Sequence, residues 1–327
     1  MKRFRGRMAA ALAALAALGP AVSCRRPAPP LYTIGVLELL FSPTTADMRK
    51  GFLDALEAGG LKDGTNVRLD VRNANNDIAL AQKIAQDFAA GGVDMIVAVA
   101  SPALQAVLAA SPKVPIIFAA VANPYLTRAG VSPAEHLGNV TGISSSGPIR
   151  PTLELIRRTL PRARRVGTLW TPSEINSEYY LKLARSAAAE LGFEIVAVPV
   201  ANASEVLLAA QVLINEKIDA IYQLSGNTIN TAFESIGRIA EENAIPLFGG
   251  FLLSTRSGAC AAMGWDFYDM GARTGRLVLR VKAGESPAKI PFQSMSEVKL
   301  SLNRTAAGKQ GVRFPEDVLK QAGEILD

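Results

Sequence analysis

The sequence predicts an α/β protein of two successive units, each a parallel sheet flanked by helices, and three observations carry the prediction. The first is Val93–Ala106, VDMIVAVASPALQA. Five of the six residues Asp94–Val99 are apolar or small, the unbroken run expected of a parallel strand covered on both faces. Ser101 then reads as an N-cap and Pro102 as the first helical residue, with good helix formers through Ala110. The second observation is that Ile218–Ile229, IDAIYQLSGNTI, repeats this plan of Asp, apolar strand, Ser-containing turn and polar helix start. The third is that the flanks repeat in the same order. Gly35 answers to Gly167 at an offset of 132, Asp94 to Asp219 at 125, and Pro115 to Pro246 at 131. Val67–Val71 followed by Asn75 likewise matches Glu194–Val200 followed by Asn202, and four matches in one order indicate a duplicated unit. A strand feeding a helix start leaves backbone N–H groups at the carboxyl edge of the sheet. Open α/β sheets bind ligands at that edge, and a helix N-terminus there favours anionic groups.

In chain order, Met1–Ser23 reads as an export signal: a basic start, the apolar run Met8–Leu18, and small residues before Cys24. The run is too short for a permanent membrane helix. Ala21-x-Ser23 suits ordinary signal peptidase, and the same residues before Cys24 resemble a lipobox with Ala at position 21. The reading adopted is a lipoprotein acylated at Cys24, with residues 24–30 as an extended tether. Leu31–Leu37 is the first strand, and Thr45–Ala58 an amphipathic helix with Met48, Phe52, Leu53 and Leu56 at helical spacing. Asn73–Asp77 caps a helix over Ile78–Ala90, and Ile116–Ala122 is the fourth strand. Gly138–Ser146, polar and bounded by glycine, reads as an extended crossing between the units. The second unit then predicts helices over Pro151–Leu160, Glu178–Leu191, Ala203–Asn215 and Thr231–Asn243. Its strands are Arg165–Trp170, Glu194–Val200, Ala220–Leu224, Pro246–Phe251 and Ala259–Gly264, with Thr171–Ser177 as a polar loop. Asp266–Ala283 is one more amphipathic helix, Ile290–Leu302 two short extended pieces, and Pro315–Leu326 a final helix.

The composition, 49% hydrophobic and 20% charged, is that of a globular protein, and 327 residues favour two domains. The formal charge of +6 falls to +2 once Lys2, Arg3, Arg5 and Arg7 of the export signal are removed. With no basic stripe carrying interleaved aromatics, a nucleic-acid partner is excluded. The only cysteines are Cys24 and Cys260, the second in a small apolar run that reads as a buried thiol, so no disulfide framework exists. His136 is the sole histidine and has no neighbouring ligand at metal spacing. There is no GxGxxG, GxxxxGK[ST] or GxSxG. Ser101 stands on a strand–helix turn but has no base beside it, so no enzyme activity and no cofactor are expected. The short polar residues at the strand ends suit hydrogen bonding to a polar small molecule.

Seven segments carry a resemblance: Ser101–Ala106 (SPALQA), Val121–Pro124 (VANP), Asn139–Ile143 (NVTGI), Glu174–Ser177 (EINS), Gly226–Ile229 (GNTI), Gly258–Gly264 (GACAAMG) and Leu300–Arg304 (LSLNR). Together they cover the chain from Tyr32 to Ala322. In order and spacing the chain resembles the type I periplasmic-binding-protein class, and within it the ABC-transporter substrate-binding lipoproteins of the tryptophan and aromatic amino-acid uptake type. The resemblance implies two Rossmann-like lobes joined by a three-stranded hinge, residues 31–142 plus 265–291 and residues 143–264 plus 292–327. It implies a ligand closed between them, an amino acid or aromatic carboxylate. It also implies an exported, periplasmic or membrane-anchored monomer that serves an ABC permease and its ATPase. Ligand contacts carried over are Ser101, Ala103, Gln105, Asn176 and Ser177. The strand-end residues Asn123, Glu174, Ser225 and Asn227 join them, with Phe41 and Phe251 as stacking groups and Trp170 as a further aromatic. Where the family often has an Asp to take the ligand's ammonium, this chain has Gly226, which leaves Glu174 or Glu38 as its substitute. A sensory lipoprotein and a two-lobed α/β enzyme are the alternatives. The export signal and the lack of a helix-turn-helix before Leu31 exclude a transcriptional regulator.

Overall fold

The structure is a computed structural model that describes residues 30–327. The expected export signal, Cys24 and most of the tether lie outside the described residues. The first sheet is built mainly from β1 (Tyr32–Glu38), β2 (Val67–Asn73), β3 (Met95–Val99), β4 (Ile116–Val121) and β5 (Val140–Ser144), of which β3 and β4 are unbroken apolar runs and β2 alternates apolar with charged residues. Between them run α1 (Pro43–Ala58), α2 (Ile78–Ala89) and α3 (Ser101–Ala109). The chain then passes to a second sheet through α4 (Ile149–Thr159), β6 (Arg165–Trp170), α5 (Ile175–Glu190), β7 (Glu194–Pro199) and α6 (Val206–Asn215). It continues through β8 (Ala220–Gln223), α7 (Asn227–Asn230), α8 (Phe233–Glu242), β9 (Leu247–Gly249) and β10 (Ala261–Gly264). After α9 (Phe267–Lys282) and the short β11 (Gln293–Ser294) come β12 (Lys299–Asn303), α10 (Arg304–Lys309), α11 (Glu316–Gln321) and β13 (Glu324–Leu326).

The sheet orders are β11-β5-β4-β3-β1-β2 and β13-β12-β10-β9-β8-β6-β7. Every pairing is parallel except β10 with β12. The run β4-β3-β1-β2 in one sheet and β9-β8-β6-β7 in the other is the duplication read from the offsets, now as geometry. Each sheet is covered on both faces. Phe88, Leu104 and Val107 pack on one face of the first and Met48, Phe52, Met270 and Val278 on the other. Leu153, Tyr180 and Leu181 on one side, and Leu213, Ile236 and Phe233 on the other, enclose the second.

The chain passes between the sheets after β5, after β10 and after β11, so three strands connect the lobes. Helix α9 follows the second sheet in sequence but packs on the first, against α1. Gly51 and Gly271 let the two backbones meet there. A Cβ on Gly51 would stand 2.0 Å from the Tyr268 carbonyl oxygen, and one on Gly271 1.8 Å from that of Met48.

Several expected elements shift. Gly138–Ser146 is no bare crossing, because Val140–Ser144 pairs with β4 as a fifth parallel strand. Residues 316–321 are helical, but Glu324–Leu326 turns back as a strand beside β12, anchored by Gly323 N–H donating to the Leu300 carbonyl. Helix α5 begins at Ile175, three residues before the expected Glu178, and the helix expected over Thr231–Asn243 is α8, from Phe233 to Glu242, with the one-turn α7 lying ahead of it. Ser101 is not the N-cap of α3. Ala100 takes that place at φ 85°, and Ser101 is the first helical residue.

Candidate ligand-binding site

The carboxyl ends of the strands in both sheets face one cavity, with about 80 Å³ open to the centres of water molecules. One water needs about 10–15 Å³ on that measure, so the space suits a small organic molecule. The first lobe contributes Ser42, Thr44 and Thr45 at the start of α1, Ala100 and Ser101 at the start of α3, and Ala120 and Ala122 at the end of β4. The second contributes Asn176 and Tyr180 from α5, Ser225, Gly226, Asn227 and Asn230 around α7, and Gly250. Trp265 and Phe267 project from the crossing before α9.

Local structure explains these positions. Ser42 caps α1 with a reciprocal pair of bonds, Thr45 N–H to Ser42 Oγ and Ser42 N–H to Thr45 Oγ1. Ala100 and Ala120 both hold positive φ, 85° and 55°, at adjacent strand ends, and β4 is bulged beside Ala120. Such backbone costs on the order of 1–3 kcal/mol per residue, and it gathers where a site needs it. Ser101 Oγ accepts from Ala122 N–H at 3.1 Å and ties the bulged end of β4 to α3.

In the second lobe Glu174 is the organising residue. It is 3% exposed, and its carboxylate accepts from Asn227 N–H and Thr228 N–H at 2.8 and 2.7 Å. Asn227 Nδ2, Asn176 Nδ2 and Thr228 Oγ1 also donate to it. It therefore locks the start of α5 to the start of α7 and is absent from the cavity wall. Tyr180 donates to the Ser145 carbonyl at 2.9 Å, and burial pushes its phenol far above the usual range, so it stays neutral. Among the described residues no Asp, Glu, Lys, Arg or His lines the cavity. The Trp265 indole N–H is buried and has no hydrogen-bond partner among the described residues. Among the described residues two side-chain bonds span the lobes beside the site: Asn76 Nδ2 donates to Thr228 Oγ1 at 2.9 Å, and Lys299 Nζ donates to Asp266 Oδ2 at 2.8 Å.

Of the residues singled out from sequence, Ser101, Asn176, Ser225 and Asn227 meet at the cavity. The others stand elsewhere, each for a local reason. Ala103 is fully buried on the inner side of α3, and Gln105 is exposed on the same helix. Asn123 accepts from the N–H groups of Tyr125 and Leu126 and so closes a turn. Ser177 Oγ accepts from Thr171 N–H at 2.8 Å. Phe41 is 63% exposed beside the cavity, with the Arg49 guanidinium 5.7 Å from its ring centre. Phe251 packs edge-on against Phe233, and Trp170 packs on the core of the second lobe. Glu38 is buried in an ion pair with Arg49 on the flank of the first sheet. His136 stacks on Phe292. Cys260 is a buried thiol pushed up to about 12 by desolvation. Asp77 caps α2 as expected of its turn, whereas its neighbour Asn76 makes the interlobe bond. Sequence reasoning missed Trp265, Phe267 and Tyr180. Trp265 had a usable signal, since it directly follows the strand ending at Gly264.

The profile of a family described as ABC transporter substrate binding protein matches residues 33–326. A tyrosine-binding protein of Clostridioides difficile (strain R20291) is 34% identical over 270 residues, 83% of this chain and 78% of that protein. The crystal structure of an ABC domain in complex with L-Trp from Streptococcus pneumonia superposes with a TM-score of 0.86 at 29% identity. That match covers 91% of this chain and 100% of the other. The ligand-free, open structure of a substrate-binding protein with adhesive properties from Clostridium difficile superposes with a TM-score of 0.68 at 28% identity. It covers 90% of this chain and 99% of the other.

Proposed function

The chain belongs to the family of ABC transporter substrate-binding proteins, and on that footing we propose that it captures a small aromatic ligand of the amino-acid kind by closing its two lobes. The observation that carries this reading is the cavity itself, walled by both lobes, with Trp265, Phe267 and Tyr180 beside the polar Ser101, Asn176, Ser225 and Asn227. Ligand-bound and open relatives support it. At nearly equal identity the chain superposes better on the L-Trp complex than on the ligand-free, open structure, 0.86 against 0.68. Both that difference and the contact of Asn76 with Thr228 across the lobes support reading the arrangement as the closed one.

The mechanism is a population shift. The open form exposes the strand ends of both sheets, and the three connecting strands act as the hinge. Ligand contacts made from both sides exist only in the closed form, so binding biases the equilibrium toward it by their combined free energy. The closed form is the one a permease reads, and ATP hydrolysis at the transporter drives uptake. Nothing here asks for a reacting group.

The test pairs two measurements on one ligand panel of aromatic amino acids, aromatic carboxylates, purines and sugars. A ligand at about 100 times its Kd stabilises the folded chain by about 2.7 kcal/mol, which raises the melting temperature by several degrees. Any aromatic compound that does so also reduces the radius of gyration in solution scattering. A stabilising ligand that leaves the scattering profile unchanged rules out capture by closure.

A further inference from the structure

We propose that the first lobe carries a second ligand site, separate from the interlobe cleft, for a small neutral aromatic molecule of phenol size that bears one O–H or N–H donor. The site is the cavity between α1 and the sheet.

This cavity measures about 150 Å³ on the scale that gives about 80 Å³ for the interlobe one. An apolar cavity of about 150 Å³ takes up a benzene ring. Val36 and Val97 of the sheet line it together with Met48 and Phe52 of α1, all of them buried. Close packing ordinarily removes such a space, since protein interiors hold few voids larger than a water molecule. Here the lining reaches the surface at Leu53 and Val71, 41% and 42% exposed, which leave an apolar mouth. A ligand can therefore enter without unfolding the lobe. Of the residues around it only Val99, at the end of β3, also lines the interlobe cavity, so the two spaces are distinct.

A carboxylate in the wall marks the cavity as more than a packing gap. Glu38 lines it and is 1% exposed. Its side-chain donors among the described residues are both from Arg49: Nε to Oε1 at 2.8 Å, and Nη2 to Oε2. A carboxylate has about four places for a donor, so lone pairs stay open where water has little access. Buried acceptors normally find partners, and a donor on a ligand supplies one. The ion pair also sets the ligand's charge. Glu38 and Arg49 together are neutral, so an added carboxylate would be repelled by Glu38 and an added ammonium by Arg49, each at the cost of its hydration. A neutral phenolic hydroxyl or aromatic N–H meets neither cost. The other polar groups of the wall are engaged: Thr274 Oγ1 donates to the Met270 carbonyl, and Asp63, at the exposed rim, accepts from Leu69 N–H.

The experiment is calorimetric titration of the protein with phenol and with toluene, first alone and then with the cleft saturated by whichever aromatic amino acid the panel above identifies. Phenol is expected to bind one-to-one with a Kd of about 1 mM or below, the range open to a ligand of about seven heavy atoms, and to bind as well when the cleft is full. A cavity without an acceptor takes toluene and rejects phenol, because a hydroxyl buried unpaired is costly. Here phenol is expected to bind at least as tightly as toluene. Val71→Trp and Leu53→Trp each set an indole at the mouth from a partly exposed position. Both are expected to weaken phenol about tenfold or more and to leave the amino acid's affinity within about twofold. Phenol binding that these substitutions remove supports the second site even if the cleft takes no member of the panel. Phenol displaced by the cleft ligand, or indifferent to both substitutions, overturns this inference while capture by closure stands. Toluene bound more tightly than phenol overturns it as well, and so does the absence of saturable binding by either compound.

Discussion

Glu174 commits both carboxylate oxygens to the chain itself, and this decides what it does. Five donors from three residues converge on it at 3% exposure, so it is a structural anion that fixes the wall on which Asn176 and Asn227 stand. Glu174→Gln replaces one accepting oxygen by an NH2 group that faces donors already in place. Losing charge-assisted bonds and stranding at least one buried N–H is expected to cost about 2–3 kcal/mol, read as a lower urea midpoint at unchanged slope. A stability equal to the wild type would show that the carboxylate is not what ties α5 to α7. None of this was legible in the sequence, where 53 residues separate Glu174 from Asn227. Ser101, Asn176, Ser225 and Asn227 were legible as cavity residues because topology alone sends short polar groups at strand ends to the cleft. Glu174, Ser177 and Asn123 share that placement, but nearby backbone N–H groups claim them first. The competition between capping and ligand contact is a matter of ångströms and leaves no trace in spacing.

At the scale of elements, periodicity carried the strands and long helices, and it failed where a segment was short or its partner remote. Strand β5 looks like a linker because Gly142 and Ser144 interrupt its apolar run. It becomes a strand because Thr141 Oγ1 bonds to the Ile290 carbonyl and Phe118 packs against Gly142. The final segment splits because β12 presents an open edge that Glu324–Leu326 fills. Helix α9, by contrast, was readable as an unpaired amphipathic element, and its docking explains how the first lobe is completed by residues from late in the chain. That docking depends on close approach. In Gly271→Ala the new methyl would overlap the Met48 carbonyl, 1.8 Å away, and backbone on both helices must move. The expected loss is about 1–3 kcal/mol or more. Because α9 begins at the cavity, with Trp265 and Phe267 just before and at its first turn, affinity should fall together with stability. Thermal unfolding and titration of one ligand on the same preparation check both, and loss of affinity alone would mean that the helix pair is not rigid.

The described residues form two copies of one unit facing each other, and two side-chain contacts join them beside the cavity, Asn76 with Thr228 and Asp266 with Lys299. Asn76 sits at φ 60° in the turn after β2, a strained placement that aims its amide across the cleft to the Thr228 hydroxyl. Thr228 in turn donates to Glu174, so the bond joins the first lobe to the most rigid corner of the second. Such a contact exists only in the closed form. Removing it with Asn76→Ala takes away about 0.5–1.5 kcal/mol from closure and nothing from either core. Apparent affinity depends on the fraction of closed molecules, so it is expected to weaken roughly two- to tenfold for every ligand alike. The melting temperature of the ligand-free protein should fall only as far as the roughly 1 kcal/mol that alanine costs at this left-handed φ, while ligand-free scattering should show a larger radius of gyration. The uniformity across ligands is the discriminating result: a residue that touched the ligand would weaken some compounds far more than others. If Asn76→Ala shifts affinity without changing the ligand-free dimensions, the bond is no latch, and closure is held by the ligand alone.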